Sequence, residues 1–285
     1  MPIFLVTTEH LENNLWFRDT DDFRVGMNTV TVVKVKTGVS VLAFILMSNH
    51  VHFVLECTRY VAMEFINEFK RHYSRYLCKK YGLNEQLRGN GIDIRPLDDT
   101  ESVERAIAYV HMNCVAANIC FSPEHYPWSS GQCFFSEKRL RGTRIGLLKK
   151  RASARLLHSK QVLPPEYLIG DEGFILPQSF VEVERVERLF RTPKRMNYFL
   201  SASSKSKLRL ESNEAVPAFK DQYILAGITD ICTTLFHKNS MKELNMSEKT
   251  ELLRQLKYRF TCNIHQLARI TGNTYEQVVQ LLDCE

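Results

Sequence analysis

The stretch "FILMSNHVHFVLE", residues 44–56, decides how this chain is read. Apolar runs rich in Ile, Val, Phe and Leu flank a Ser48–Asn49 pair, which sits where a tight antiparallel link would fall. Two strands are therefore expected, at 39–47 and 50–56. Along a strand, residues i and i+2 share a face. His50 and His52 then project together, while Val51, Phe53 and Leu55 point into the other side as core. Two imidazoles roughly 7 Å apart can converge on one divalent ion. Nitrogen donors alone suit zinc, copper or iron; an added amide or water oxygen also admits magnesium or manganese. A bare HxH is more often two surface histidines than a metal site, so other residues must decide.

Working outward, "IFLVTT" (3–8) reads as a strand. Residues 19–36 are ambiguous: "DTDDF" opens like a helix, yet "TVTVVKV" is rich in β-branched residues. From Val61 to Tyr81 the spacing is helical, and "IDIRPL" (92–97) reads as a short strand with its proline near the end. "DTESVERAIAYVHMNCVAANI" then starts a helix over 99–118 on Asp99, Thr100 and Glu101. This order predicts an α+β protein: a ferredoxin-like antiparallel sheet with helices, followed by an all-helical C-terminal domain. The divisions are expected at 1–135, a basic connecting segment at 136–213 and a helical module at 214–285.

Composition agrees with a globular protein. The chain has 285 residues, 44% hydrophobic and 25% charged, with a net charge of +6. "MPIFLVTTEH" lacks the basic lead-in of a signal peptide, and no apolar run reaches membrane-spanning length. A cytoplasmic protein with no membrane partner is expected. Eight scattered cysteines without CxxC spacing argue against a disulfide framework or a zinc module.

On helix 99–118 an apolar stripe of Val103, Ala106, Ile107, Val110, Cys114 and Ala117 should dock on the sheet. Tyr109 and Asn113, at i and i+4, stack along its margin, with Arg105 one turn earlier. His111 falls on the opposite flank, which argues against it as a ligand. A tyrosine nucleophile, an amide oxygen and two imidazoles are what metal-assisted attack on a phosphodiester requires. Phenol titrates near pH ~10, so a nearby cation would help form phenolate.

These residues carry a resemblance. "MSNHVHFVLE", "KRHYSRYLCKKYG", "AYVHMNCVAANI" and "HYPWSS" together resemble the single-tyrosine HUH transposases, in particular the REP-associated tyrosine transposase group. The likeness covers about residues 1–135. It implies His50, His52 and Asn113 as ligands of Mg²⁺ or Mn²⁺ and Tyr109 as nucleophile. The implied activity is cleavage and rejoining of single-stranded DNA at hairpin-forming sites through a 5′-phosphotyrosine. The chain departs from the family pattern with Ser48 in place of a usual proline, and with "CVAAN" after Asn113 in place of proline and a basic residue. A DNA-binding protein that keeps the fold without cutting is the second reading; a small-molecule metalloenzyme is a third. The family leaves monomer and homodimer both open.

Other features bear on the DNA partner. Tyr73 lies among Lys70, Arg71, His72 and Arg75, a setting that could lower a phenol pKa or grip a phosphate backbone, although a solvated basic helix face with half-buried tyrosines is the first reading. A run without acidic residues from Lys138 to Lys160 includes Lys149, Lys150 and Arg151 and reads equally as an arm that could track DNA or as a solvated surface. The DNA-binding set is thus Arg105, Lys70, Arg71, Arg75, Lys149, Lys150 and Arg151. Tyr126 and Trp128 of "HYPWSS" read as packing residues ahead of base-stacking ones. In the last third, Ser247, Asn263 and Thr274 are expected helix caps, and the "TGN" turn suggests a helix-turn-helix.

Overall fold

The sheet is built from β1 (Ile3–Thr8), β2 (Ser40–Met47), β3 (His50–Glu56) and β4 (Ile92–Leu97). In this computed structural model the described residues are 1–8, 15–82, 87, 91–117, 119–136, 141–203, 221–260, 262 and 264–283. The four strands are antiparallel in the order β2-β3-β1-β4. With α1 (Thr20–Thr37) between β1 and β2 and α2 (Arg59–Tyr81) between β3 and β4, this is the ferredoxin-like plan, and the chain is α+β.

The ambiguous segment after Asp19 is helical. Asp19 accepts a hydrogen bond from Asp22 N at 2.9 Å, and Gly38 (φ 68°) closes the helix by donating to Lys34 O. Its β-branched residues are tolerated because Val25, Val30, Val32 and Val33 are all buried; packing overrides their local preference. A Cβ on Gly26 would strike the Phe17 ring, so this helix sits against that residue only as glycine.

Strand alternation divides the sheet into two faces. On one, the Phe53 ring packs against Phe65 and Phe69 of α2, with centroids 5.0 and 5.5 Å apart. On the other lie His50 and His52, covered by α3 (Thr100–Ala116). Asp99 caps α3 by accepting from Ser102 N at 2.7 Å. Val103, Ala106, Ile107, Val110 and Cys114 of the expected stripe are buried, whereas Ala117 is exposed just past the helix end.

The two margins of the sheet differ. Beside β2 the chain itself adds bridges, Val41 to Val181 and Ile45 to Ser129. At the β4 margin stand Pro96 and an Asp93–Arg95 ion pair at 2.5 Å.

Residues 141–203 are not a free arm. They contain β5 (Thr143–Arg144), α4 (Lys150–Leu156), β6 (Leu168–Ile169), α5 (Val183–Phe190) and α6 (Pro193–Ala202). Ile145, Leu157, Ile175, Val186, Phe190 and Phe199 enter the same core as the sheet. The charges of the basic run alternate with these anchors, so the segment wraps the core while Lys149, Lys150 and Arg151 stay exposed. The Asn28 side chain of α1 pins it at two points, accepting from Ile175 N at 2.9 Å and donating to Leu156 O at 3.2 Å. The end of the expected connecting segment, 204–213, lies outside the described residues.

A second core is formed by α7 (Asp221–Leu235), α8 (Met246–Phe260), α9 (Ile264–Thr271) and α10 (Tyr275–Asp283), around Ile224, Ile231, Leu252, Leu256, Leu267 and Val278. Asn245, not Ser247, caps α8: it accepts from Glu248 N at 2.9 Å and its own N–H donates to the Glu248 carboxylate at 2.7 Å. Thr274 and Gln277 form the expected reciprocal cap on α10; Asn263 lies outside the described residues.

The two cores meet at Asp221. Its buried carboxylate takes both arms of the Arg269 guanidinium (2.7 and 2.9 Å), the Gln266 amide (2.9 Å) and the Ser48 hydroxyl (2.9 Å). Burial alone would raise its pKa, but Arg269 and these donors together hold it below the usual carboxylate range. Asp221→Asn leaves the Arg269 guanidinium without its counter-charge, at an expected cost of about 3 kcal/mol. Urea denaturation of the variant followed by circular dichroism checks this; an unchanged midpoint would show the pair to be dispensable.

Candidate functional site

His50 and His52 sit on β3 with ring centroids 4.8 Å apart and planes at 84°. Both are buried, at 4% and 0% exposure, so neither is a surface histidine. Each Nδ1 is engaged by a neighbour fixed by the sheet. His52 Nδ1 lies 2.9 Å from Thr7 Oγ1, because Thr7 of β1 is the register partner of His52. His50 Nδ1 lies 2.9 Å from Asn49 Oδ1; a carboxamide oxygen only accepts, so the proton is on Nδ1 and the Nε2 lone pair faces away. This is the outer-shell pattern that orients histidine ligands in metal sites.

Tyr109 of α3 places its ring 5.5 Å from that of His52, at 80°. One turn on, the Asn113 amide donates to Tyr109 O at 2.8 Å and Val110 O at 3.2 Å. Both donors of the amide are thereby directed at the helix. The buried Asn113 Oδ1 has no hydrogen-bond partner among the described residues. A buried acceptor left so is uncommon and calls for a water or an ion. Two oriented imidazoles and an amide oxygen fit a divalent ion of mixed nitrogen and oxygen preference. Among the described residues no group of three His, Cys, Asp or Glu gathers for a metal, so an amide donor is needed to complete such a set.

Burial raises the Tyr109 phenol above its ordinary range, and the Arg95 guanidinium opposes that shift. Arg95 was not among the residues expected from sequence. The alternation in "IDIRPL" puts Asp93 and Arg95 on one face, but only the β1–β4 register, Arg95 opposite Leu5, turns that face toward α3. Thr7 was missed for the same reason. Arg105 pairs with Glu101 on the exposed side of α3, beside a cavity that Tyr109 also lines.

The other expected basic residues lie elsewhere. Lys70 is buried on α2, Arg71 is ion-paired with Glu68, and the sheet separates this helix from the histidines. Tyr73 is fully buried and its hydroxyl donates to Trp16 O at 2.6 Å. Burial and the nearby Asp22 push its phenol up, so its basic neighbours do not lower it. Arg75 and the Lys149–Arg151 group belong to the helical side, where the His158 ring after α4 contacts Tyr76 of α2 at 5.3 Å. Tyr126 and Trp128 are buried: the Tyr126 hydroxyl donates to Leu46 O at 2.7 Å, and Trp128 stacks on Phe23 at 5.1 Å.

His111 lies off this site, its Nε2 2.9 Å from Ser130 Oγ in the core. Burial pushes its pKa down to about 3. An unfolded histidine near ~6.5 binds a proton that the folded one refuses, so this contribution is intact above ~6.5 and is lost progressively as pH falls. Between about pH 7 and about pH 5 it should cost roughly 2 kcal/mol. Urea unfolding of the protein and of His111→Gln at both pH values checks this; the variant should lose that share of the pH dependence.

No helix among the described residues is long and apolar enough to cross a membrane. Among solved structures the chain is similar to one described as "Structure of the REP associates tyrosine transposase bound to a REP hairpin". The identity is 15%, the TM-score 0.34, and the match covers 46% of this chain and 77% of that one. No curated protein matches the chain. Residues 16–92 match the family model "Transposase IS200 like". That span holds α1, β2, both histidines of β3 and α2, and ends as β4 begins, before Tyr109. Over that span the chain is similar to IS200-like transposases.

Proposed function

We propose that this transposase domain cuts and rejoins single-stranded DNA at hairpin-forming sites, with Tyr109 as the nucleophile. Tyr109 Oη attacks phosphorus, the P–O3′ bond breaks, and the departing oxygen takes a proton to become a free 3′-OH. The phosphate stays on the tyrosine as a 5′-phosphotyrosine. A 3′-OH then attacks that phosphorus and Tyr109 leaves, so the bond energy is conserved and no nucleotide triphosphate is consumed. His50, His52 and Asn113 would hold Mg²⁺ or Mn²⁺, which when bound polarises the phosphate and offsets developing charge. Asn49 holds His50 in the tautomer this needs, and Thr7 orients the His52 ring. Arg95 favours the phenolate against the burial that disfavours it.

The observation that carries the reading is the 5.5 Å approach of Tyr109 to His52 across two separate elements. In support, the family match independently includes the histidine strand. Lys149, Lys150 and Arg151, exposed on the far side, would hold the DNA backbone away from the reacting phosphate. Incubation with labelled hairpin DNA and Mn²⁺, followed by denaturing electrophoresis, tests the reading. A covalent protein–DNA adduct supports it; DNA binding without an adduct under Mg²⁺ or Mn²⁺ would leave a binding protein on the transposase fold.

A further inference from the structure

Beyond Tyr109, away from the sheet, α3 and α6 enclose a cavity of about 330 Å³ lined by Glu101, Arg105, Tyr109, Tyr198, Phe199 and Ala202. It exists because α6 is fastened to α3 by a forked ion pair: Arg195 Nε and Nη2 donate to the two carboxylate oxygens of Glu104 at 2.6 and 2.7 Å. Glu104 is fully buried, so this contact fixes the helices firmly. The Phe199 ring is itself buried, edge-on to Phe190 at 6.0 Å and beneath the Arg195 guanidinium at 5.2 Å. Tyr198 stands edge-on against Phe199, with centroids 5.5 Å apart, yet remains 67% exposed.

The result is an aromatic ring braced from behind by a fixed ring and open in front. Facing it on the rim are a guanidinium and a carboxylate, Arg105 and Glu101, paired with one another. A flat ring with donors and acceptors on its edge matches that combination: the ring stacks, and its edge meets one donor group and one acceptor group. Duplex DNA has no such ring to offer, since its bases are stacked on each other. Because Tyr109 forms one wall, a ring held here lies next to whatever phosphate reaches the phenol.

We infer that this cavity receives the unpaired nucleobase adjacent to the phosphate attacked by Tyr109, stacked on Tyr198, with its edge against Glu101 and Arg105. The inference rests on the proposed function and adds to it a residue that selects single-stranded over paired DNA at the cleavage position.

The test uses the full chain with a fluorescein-labelled pool of random-sequence single-stranded DNA carrying 5-iododeoxyuridine. Irradiation should cross-link the DNA to the peptide containing Tyr198, and Tyr198→Ala should remove that cross-link and weaken binding about tenfold. Tyr198→Phe, which keeps the ring, should bind like the unaltered protein. Equal affinity for Tyr198→Ala, with cross-links mapped elsewhere, overturns this inference and leaves the role of Tyr109 standing. Failure of the unaltered protein to bind the pool or hairpin DNA overturns both together.

Discussion

Tyr109→Phe should abolish covalent capture of DNA, lowering adduct formation by at least about 10⁴-fold, because it deletes the attacking oxygen and nothing else. The remaining ring keeps its place against His52, so the variant should stay folded and still bind DNA. Tyr73→Phe is the informative control. Its hydroxyl serves the Trp16 carbonyl inside the core, and its neighbours push the phenol up. That variant should still form adducts, with some loss of stability. Denaturing electrophoresis of protein incubated with end-labelled hairpin DNA and Mn²⁺ reads both. Adducts surviving in Tyr109→Phe and vanishing in Tyr73→Phe would sink the assignment.

The second large effect is expected at His52. It is buried, and its two ring nitrogens are divided between Thr7 and the proposed ion. His52→Gln removes the imidazole with little change of volume and should weaken Mn²⁺ binding at least about 100-fold, with cleavage falling in step. Thr7→Val touches no ligand. It removes only the oxygen beside Nδ1, and should weaken Mn²⁺ binding about tenfold or more. Calorimetric titration of Mn²⁺ in the absence of DNA separates metal loss from impaired chemistry. Undiminished Mn²⁺ affinity in His52→Gln would remove β3 from the metal site.

Much of this was legible in the sequence because it depends on local pattern. The HxH strand, the Ser48–Asn49 link, the Asp99 cap and the Tyr109–Asn113 spacing are read at separations of a few residues. They come together because the order of elements permits few topologies. What was not legible depends on partners far along the chain. Thr7 and Arg95 reach the site through strand register, which the alternation of one strand does not specify. The valine-rich start of α1 looked strand-like because its neighbours in space, not in sequence, decide how a β-branched residue is buried. The basic run looked like an arm because charge is conspicuous, while the few apolar anchors between the charges set the path. At Tyr73 too, four basic neighbours along the helix say less than the aspartate and the apolar wall that surround its ring.

The unequal margins of the sheet have a consequence for self-association. Unsatisfied strand edges invite recruitment of a foreign strand, and from there fibrillar or swapped assemblies. Here one border is sealed by the protein's own return segments at Val181 and Ser129. The other offers an incoming chain a proline without an N–H and a pair of opposite charges, Asp93 and Arg95. Both borders are thereby poor templates for a neighbour, which disfavours joining copies of this protein by lengthening the sheet.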